Sequence, residues 1–179
     1  MVSTRTANLL GASAVAVTDA VRNAAEGASG HSAAGPGALV AIDMHPGEPV
    51  DALARVLGLT GSGAVRVVDR LAAVGLVERR GGVDGRTRAL HLTRAGKRAL
   101  RRLRERREGA LLEALSVLSA EEQEQLAPLL EKLLQGLAHD RVGARAICRL
   151  CDVGACRAGA RCPLDLDVVD LPLAGLPET

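Results

Sequence analysis

Four cysteines stand close together near the end of this chain, at Cys148, Cys151, Cys156 and Cys162, with the spacing C-x2-C-x4-C-x5-C. Four thiolates are the full ligand set of a closed tetrahedral zinc site, and they also hold a cubane iron–sulfur cluster. The spacing is close to that of a compact zinc knuckle, whereas Cys162-Pro163 is typical of the last ligand in bacterial ferredoxins. We therefore predict that these cysteines bind a metal, with zinc favoured over an iron–sulfur cluster.

Two alternatives involve no metal: free thiols in an unstructured tail, or a cysteine pair oxidised to a disulfide. No apolar stretch is long enough to span a membrane, so we expect a cytoplasmic protein without a membrane partner. Cytoplasmic thiols stay reduced, and clustered cysteines there favour metal or redox chemistry over structural disulfides. Arg149, Arg157 and Arg161 are expected to offset the thiolate charge, with His139 as the nearest reserve ligand.

Arginines form the second group of residues that could do chemistry. Residues 60–110 hold 14 of the 23 basic residues but only 5 of the 21 acidic ones, although the net charge of the chain is only +2. A basic segment of this kind predicts a polyanionic partner, although a solvated helix face also gathers arginines. The chain contains no Phe, Tyr or Trp. This excludes nucleic-acid readers that stack bases on aromatic rings, and it favours helices packed through Leu, Val and Ala.

Apolar residues at helical spacing predict the elements that must position these groups. We expect helices over residues 5–27, from 36 or 37 to 44, from 49 to 58, from 60 to 74, from 93 to 118 and from 119 onward. Strands are expected at 77–80 and 88–92, joined by a glycine-rich turn. Thr60 is the expected N-cap of its helix, Ser119 and Glu122 form a capping box, and Pro128 should bend the last helix or shift its start.

Two short helices joined around Gly58 and followed by a hairpin predict a winged helix-turn-helix, in a fold that is mostly α with a small β-hairpin wing. The second of these helices is the expected recognition helix, because small residues at its start let the helix end approach a DNA backbone. Arg66 is the best candidate for bidentate reading of guanine, and Asp69 is expected to pair with a neighbouring arginine. The candidate DNA contacts of this helix are Thr60, Ser62, Gly63, Arg66 and Arg70.

The hairpin adds Asp84, Arg86 and Arg88 to the candidate DNA contacts. A glycine-rich tip that carries arginines suits a narrow minor groove, where the negative potential is enhanced. No Ser-His-Asp set, carboxylate pair or phosphate-binding loop stands out, and a site closed by four cysteines leaves no position for a substrate. We therefore expect no enzyme.

Both ends of the helical region carry apolar stripes wider than a small domain usually buries. We predict that they pair with a second copy of the chain, although packing within one chain is the plainer alternative. The candidate dimer residues are Leu10, Val17 and Val21 in the first helix and Leu126, Leu130, Leu133 and Leu137 in the last.

Residues 36–137 resemble the MarR family of winged-helix transcriptional regulators. The resemblance rests on LARVLGLTGSGAVRVVDRLAAVGLVERR (53–80), on the wing VDGRTRALHLTRAG (83–96) and on the leucine-rich helices that follow. The family's Asp-x-Arg wing motif matches Asp84 and Arg86, and its Leu-Thr-x-x-Gly step matches Leu92, Thr93 and Gly96. The resemblance implies a homodimer, built from the first and last helices, that binds a pseudo-palindromic operator and usually represses transcription.

Taken together, these features predict a dimeric DNA-binding regulator whose DNA affinity is tuned through the cysteines, by a metal or a redox signal, or by a small molecule. A dimer cleft without aromatic rings has little with which to stack a phenolic effector, which favours the cysteines as the sensor. The alternative is a metal-binding module whose winged helix docks another protein without DNA. The predicted divisions are a dimerisation helix and linker, a DNA-binding domain, two further helices and a cysteine-containing acidic tail, at 1–35, 36–93, 94–140 and 141–179.

Overall fold

The computed structural model describes residues 3–25, 33–81 and 88–165. Within these ranges the chain forms helices α1 to α8 and an antiparallel pair of strands. The helices are α1 Thr4–Ala25, α2 Gly35–Met44, α3 Val50–Leu57, α4 Gly61–Ala73, α5 Arg94–Leu115, α6 Ala120–Leu137, α7 Arg141–Ile147 and α8 Val153–Arg157. The strands are β1 Val77–Gly81 and β2 Arg88–Leu92, and a 3-10 turn, Cys148–Leu150, follows α7. The predicted fold class, mostly helical with a small hairpin, is confirmed.

The main core lies where α2, α4 and α5 meet beneath the hairpin. Its largest fully buried side chains are Leu39, Val40, Val68, Leu71, Leu100 and Leu103. Strand β1 adds Val77 to this core and strand β2 adds Leu90 and Leu92. The core is therefore built from aliphatic side chains on packed helices, as the absence of aromatic residues predicted.

The helix ends follow the predicted caps. The Thr60 hydroxyl accepts a hydrogen bond from the backbone N–H of Gly63 at 3.1 Å, and Ser119 and Glu122 complete the capping box of α6. Gly58 ends α3 in the left-handed conformation, with φ of 63°. Capping hydrogen bonds satisfy backbone groups that a helix end leaves unpaired, which is why these residue types could be recognised from the sequence.

One of the two alternatives for Pro128 is excluded, and two other features differ from the sequence prediction. Helix α6 begins at Ala120 and continues through Pro128, so the proline does not shift its start. No residue of α6 is buried, and solvent can therefore hydrate the carbonyl that the missing proline N–H leaves free. Helix α5 ends at Leu115, three residues early, where the Ser116 hydroxyl donates to the Glu113 carbonyl at 2.7 Å.

The second difference is the segment after residue 140, which forms helices where none had been predicted. The Asp140 carboxylate accepts from the Gly143 N–H at 2.6 Å and so caps α7. The Asp152 carboxylate accepts from the Gly154 N–H at 2.9 Å and so caps α8. An aspartate two or three residues before a glycine was thus an available start signal for both short helices.

Several predicted features lie outside the described residues: the linker at 26–32, the wing-tip residues Asp84 and Arg86, and the chain after residue 165. In the described part of the chain, no helix is both long and apolar enough to cross a membrane.

Candidate nucleic-acid interface and cysteine cluster

Helix α4 is amphipathic, and its two sides have different tasks. Ala64, Val67, Val68 and Leu71 are buried against the core and fix the helix beside α3. The opposite side exposes Ser62, Val65, Arg66, Asp69 and Arg70 to solvent. This exposed side is the part of α4 that can contact a partner.

The two arginines of this face, Arg66 and Arg70, lie one helical turn apart. Nε of Arg66 donates to the carbonyl of Ser62 at 3.3 Å, and Nε of Arg70 donates to the carbonyl of Arg66 at 3.2 Å. Both side chains therefore follow the helix toward its N-terminus, where positive charge and unpaired N–H groups favour an anion. Thr60 caps this terminus, with its hydroxyl 3.3 Å from that of Ser62.

Asp69 pairs with an arginine, as the sequence predicted. Its carboxylate accepts a hydrogen bond from the Arg79 guanidinium at 2.8 Å, and this ion pair joins α4 to strand β1. Both side chains are partly exposed, so the pair adds at most about 1 kcal/mol of stability. The ion pair holds the helix and the hairpin in a fixed relation and leaves the Asp69 carboxylate less free to contact a partner.

The hairpin presents further arginines beside this helix. Strand β1 pairs antiparallel with β2, with Val77 opposite Leu92 and Gly81 opposite Arg88. Arg88 is exposed at the end of β2 that leads into the wing tip, and Arg79 and Arg80 lie on β1. The described residues thus place basic side chains on both a helix and a hairpin, an arrangement that can bind phosphates and base edges together.

The structure brings the four cysteines near one another, with Cys148 beside Cys151 and Cys156 beside Cys162. The first pair brackets the 3-10 turn, which a hydrogen bond from the Cys151 N–H to the Cys148 carbonyl closes at 2.8 Å. Cys156 lies in α8 and is exposed, whereas the other three are partly buried. All four are free thiols.

Hydrogen bonding, burial and charge give thiols of this cluster different pKa values. The hydrogen bond donated by the Cys148 thiol lowers the pKa of Cys151 to about 6, and the nearby guanidinium groups of Arg107 and Arg149 act in the same direction. The same hydrogen bond, together with burial, raises the pKa of Cys148. Burial and the neighbouring thiols of Cys151 and Cys162 raise the pKa of Cys156. Cys151 is therefore the thiol that ionises first.

The cluster has the donor chemistry of a metal site, but its thiols stand as two pairs. In the described ranges, no three His, Cys, Asp or Glu side chains already form a group arranged to hold a metal ion. Arg107, on α5, has a buried Nε for which these ranges contain no hydrogen-bond partner, and its charge acts on both Cys151 and Cys156. Metal binding stays a prediction, and the half-buried Arg107 side chain offers charge balance to a group of thiolates.

Sequence reasoning missed Arg107 because this residue lies on another helix, far from the cysteines along the chain. Of the arginines expected beside the cysteines, Arg149 lowers the pKa of Cys151, whereas Arg157 forms an ion pair with Asp165 at 3.0 Å. Arg161 and the reserve ligand His139 are both exposed. No pattern among neighbouring residues in the sequence indicates that Arg107 lies near the cysteines.

The cysteine segment, defined here as residues 141–165, folds back onto the helix-turn-helix. Helix α7 packs against α3, and the 3-10 turn packs against α2. The Arg145 guanidinium donates two hydrogen bonds to the Glu48 carboxylate, at 3.1 and 2.5 Å. Glu48 lies in the loop that joins α2 to α3, so this ion pair connects the two regions across 97 residues of sequence.

His45 lies in the same loop and gives the contact a pH dependence. Burial and the Arg145 charge lower the pKa of His45 below 6.5, with Glu48 acting in the opposite direction. The folded protein therefore binds fewer protons at this position than the unfolded chain does. We expect the contribution of neutral His45 to the free energy of unfolding to be complete above pH 6.5 and to be lost as the pH falls through the folded-state pKa. Urea unfolding at a series of pH values from 7.5 to 5 should show this loss in the free energy of unfolding. In a His45→Gln variant the free energy of unfolding should change less with pH, and an unchanged pH dependence would contradict the assignment.

The candidate dimer residues fall into two groups. Leu10, Val17, Leu130, Leu133 and Leu137 are exposed by between 37% and 63%, and Leu126 is partly buried. Val21 is only 8% exposed within a single chain, so it belongs to the interior of the protomer. Apart from Val21, the apolar stripes of α1 and α6 therefore remain available to a partner.

Comparisons with known proteins agree with this fold. A model of the MarR family matches residues 36–87, which span α2 to the wing. A MarR family protein from Bacillus stearothermophilus shares the fold with a TM-score of 0.67 and 24% identity, over 76% of this chain and 98% of that one. The YusO protein from Bacillus subtilis gives a TM-score of 0.63 and 23% identity, over 74% and 94%. None of the curated proteins compared with the chain matches it.

The PcaV transcriptional regulator from Streptomyces coelicolor, solved in complex with its natural ligand, gives a TM-score of 0.53 and 26% identity, over 74% of this chain and 96% of that one. The family match and these structures support the predicted resemblance and establish a winged-helix fold of the MarR type. The matched family includes transcriptional regulators, which agrees with the expectation that the chain is not an enzyme.

Proposed function

We propose that this chain, which has the winged-helix fold of MarR-family transcriptional regulators, is itself a DNA-binding regulator of that family. The observation that carries the proposal is the solvent face of α4. This face presents Arg66 and Arg70 one turn apart, behind a helix end capped by Thr60. It belongs to a helix-turn-helix whose other side is fully occupied by the core.

The start of α4 suits close approach to a phosphate backbone. Gly61 and Ser62 are exposed, and a Cβ added at Gly61 would meet no atom within 4 Å. The unpaired N–H groups of the first turn then bind a phosphate and set the depth of the helix in the major groove. At this depth Arg66 donates two hydrogen bonds to one guanine, Arg70 contacts the flanking backbone, and Arg88 leads the wing toward the minor groove.

The regulator acts as a homodimer on a pseudo-palindromic operator, where the bound dimer represses transcription. The exposed apolar stripes of α1 and α6 support this part of the proposal, because water-exposed leucines at helical spacing are stabilised by burial against a second copy. Two recognition helices related by a twofold axis then read two half-sites on one face of the duplex.

The cysteine cluster tunes the DNA affinity by holding a metal, zinc in preference to an iron–sulfur cluster. Four thiols in two neighbouring pairs and the half-buried side chain of Arg107, with its buried Nε, support metal binding. Anaerobic purification followed by metal analysis and absorption spectroscopy separates the choices: a colourless protein with about one zinc per chain supports zinc, and a brown one supports a cluster. A small effector in the dimer cleft, by analogy with the ligand-bound PcaV structure, is the alternative signal.

Removal of the Arg66 guanidinium tests the DNA-reading assignment. We expect Arg66→Ala to weaken binding to the chain's own upstream region by about 1–3 kcal/mol, which is about 5- to 150-fold in Kd. The loss should be smaller on an operator whose contacted guanine has been replaced, because only the true operator has that interaction to lose. Fluorescence anisotropy at one fixed salt concentration measures both Kd values.

Arg5→Ala is the matched control, because it removes the same charge from an exposed position on α1. The control should change the operator Kd less than Arg66→Ala does. Equal discrimination between true and altered operators by the wild type and the Arg66 variant would overturn the base-reading role. If the wild-type protein did not shift its upstream DNA at all, the alternative of a protein-docking module would be favoured.

A further inference from the structure

The described part of the cysteine segment has only a small core of its own. Its buried members are Ala144 and Leu164, together with Ala138 just before the segment. Leu134, Ile147, Cys148 and Cys162 pack around them and are only partly buried. This small core by itself contributes little to holding some 25 residues in place, and short segments of this kind are usually fastened by a metal or by disulfides.

The segment nevertheless lies, at two defined places, against the proposed DNA-reading domain, which comprises residues 36–93. At the first place, the 3-10 turn between Cys148 and Cys151 packs on the start of α2. A Cβ added to Gly37 would lie 3.6 Å from the Arg149 carbonyl, so the two backbones are in close contact there. At the second place, Arg145 forms its ion pair with Glu48, and the Arg145 side chain is only 19% exposed.

Glu48 leads from this ion pair to the wing. The N–H of Gly47 donates to the Leu90 carbonyl at 2.9 Å, and the N–H of Leu90 donates to the Glu48 carbonyl at 3.2 Å. Leu90 lies in the middle of β2, so these two backbone hydrogen bonds attach the loop at Gly47 and Glu48 to the hairpin. A side chain that fixes Glu48 therefore fixes the strand that carries Arg88.

Resting on the proposed function, we propose that the cysteine segment is a metal-dependent brace on the DNA-reading domain. Zinc joins the two cysteine pairs, which immobilises the 3-10 turn and the adjoining helix α7. Arg145 then holds Glu48, and Glu48 holds β2 and the wing in the DNA-binding position. Loss of the metal frees the segment, releases Glu48 and weakens operator binding without removing any DNA contact.

The experiment compares zinc-loaded and chelator-treated protein by two measurements, the operator Kd and the hydrogen-exchange rates of the Gly47 and Leu90 amides. For the wild type, we expect chelation to raise the Kd about tenfold and to speed both exchange rates. Because coupling between two sites is reciprocal, operator DNA should raise the zinc affinity by the same factor.

Arg145→Gln should keep the zinc but lose the coupling. With zinc bound, its operator Kd and its two exchange rates should equal those of the metal-free wild type, and chelation should change neither. Arg141→Gln is the matched control, because Arg141 is exposed on the same helix, and it should respond to chelation as the wild type does. The double variant Arg145→Gln/Glu48→Gln avoids leaving a lone carboxylate and should behave like Arg145→Gln.

The outcomes separate the brace from the function on which it rests. Zinc-loaded Arg145→Gln that still responds to chelation like the wild type overturns the brace and leaves the regulator intact. The brace is also overturned if the wild type binds zinc but the exchange rates of the Gly47 and Leu90 amides are the same with and without the metal. If the protein bound no operator, the proposed function would fail, and the exchange rates with and without zinc would still decide whether the brace exists. Failure to bind zinc overturns both the metal site and the brace.

Discussion

Replacing Leu130 and Leu133 together by glutamate is expected to convert the proposed dimer to monomers and to weaken operator binding by a factor on the order of 100 or more. The two leucines are 44% and 43% exposed on a helix that has no buried residue, so the substitution removes little from the protomer core. In a dimer the new carboxylates would lose water without gaining partners, which costs several kcal/mol. Sedimentation equilibrium gives the mass, and anisotropy with the full operator gives the affinity.

The affinity loss follows from the geometry of a two-site contact. Once one recognition helix of a dimer is bound, the second meets its half-site at a high effective concentration, and a monomer loses this advantage. On a single half-site, wild type and variant should therefore bind with similar affinity. A variant that stays dimeric would show that α6 is not the dimer face.

Gln125→Glu/Gln135→Glu is the matched control for added charge. It places two carboxylates on the same exposed helix, away from the leucine stripe, at positions where they stay hydrated. We expect this variant to remain dimeric and to bind the operator with the wild-type affinity at equal salt concentration. If this control also became monomeric, the added negative charge on α6 would explain the loss of the dimer. Contacts made by the leucines would then not be needed to explain that loss.

Gly96→Ala is expected to destabilise the fold strongly, although alanine is the better helix former. Gly96 lies in the first turn of α5, where a Cβ would lie 2.0 Å from the Leu76 carbonyl oxygen. This oxygen is part of the backbone and already accepts a hydrogen bond from the Thr93 N–H at 3.0 Å, so it cannot move aside cheaply. We expect a loss of about 3 kcal/mol in the free energy of unfolding, at the upper end for overpacked sites.

Gly109→Ala provides a control of opposite sign in the same helix. A Cβ added there would meet no atom within 4 Å, so only the helix preference remains, and we expect a gain of up to about 1 kcal/mol. Urea unfolding followed by circular dichroism measures both variants, with equal slopes expected against urea concentration. Equal stability of the two variants would contradict the close approach at Gly96.

The resemblance already singled out Gly96 as the end of the Leu92-Thr93-x-x-Gly96 step, but the reason for glycine at this position appears only in the structure. Thr93 caps α5 by accepting from the Gly96 N–H at 3.0 Å, and its hydroxyl donates to the Gly75 carbonyl at 2.6 Å. These bonds draw the start of α5 onto the turn that follows α4. No side chain fits between the two backbones, and such a contact has no local sequence signature.

The elements of the proposed DNA-reading domain could be predicted because their causes are local. The cap at Thr60, the left-handed stop at Gly58 and the apolar spacing along α4 each involve residues within about one or two helical turns. The sequence also predicted that Asp69 pairs with an arginine, because a carboxylate surrounded by arginines in the sequence usually forms an ion pair with one of them. Its partner, Arg79, required the position of the hairpin.

What the sequence determined by itself is the set of elements and the chemistry that they carry: a helix-turn-helix with arginines on one face, a hairpin, apolar end helices and four clustered cysteines. Tertiary structure alone decided which distant residues meet. It brought Arg107 to the cysteines, joined Arg145 to Glu48 across 97 residues, and buried Val21 within the protomer. The physical reason is range: caps and periodicity act through neighbours along the chain, whereas ion pairs and burial depend on how the helices pack. The four clustered cysteines thus belong, in the folded chain, to a segment that packs against the helix-turn-helix.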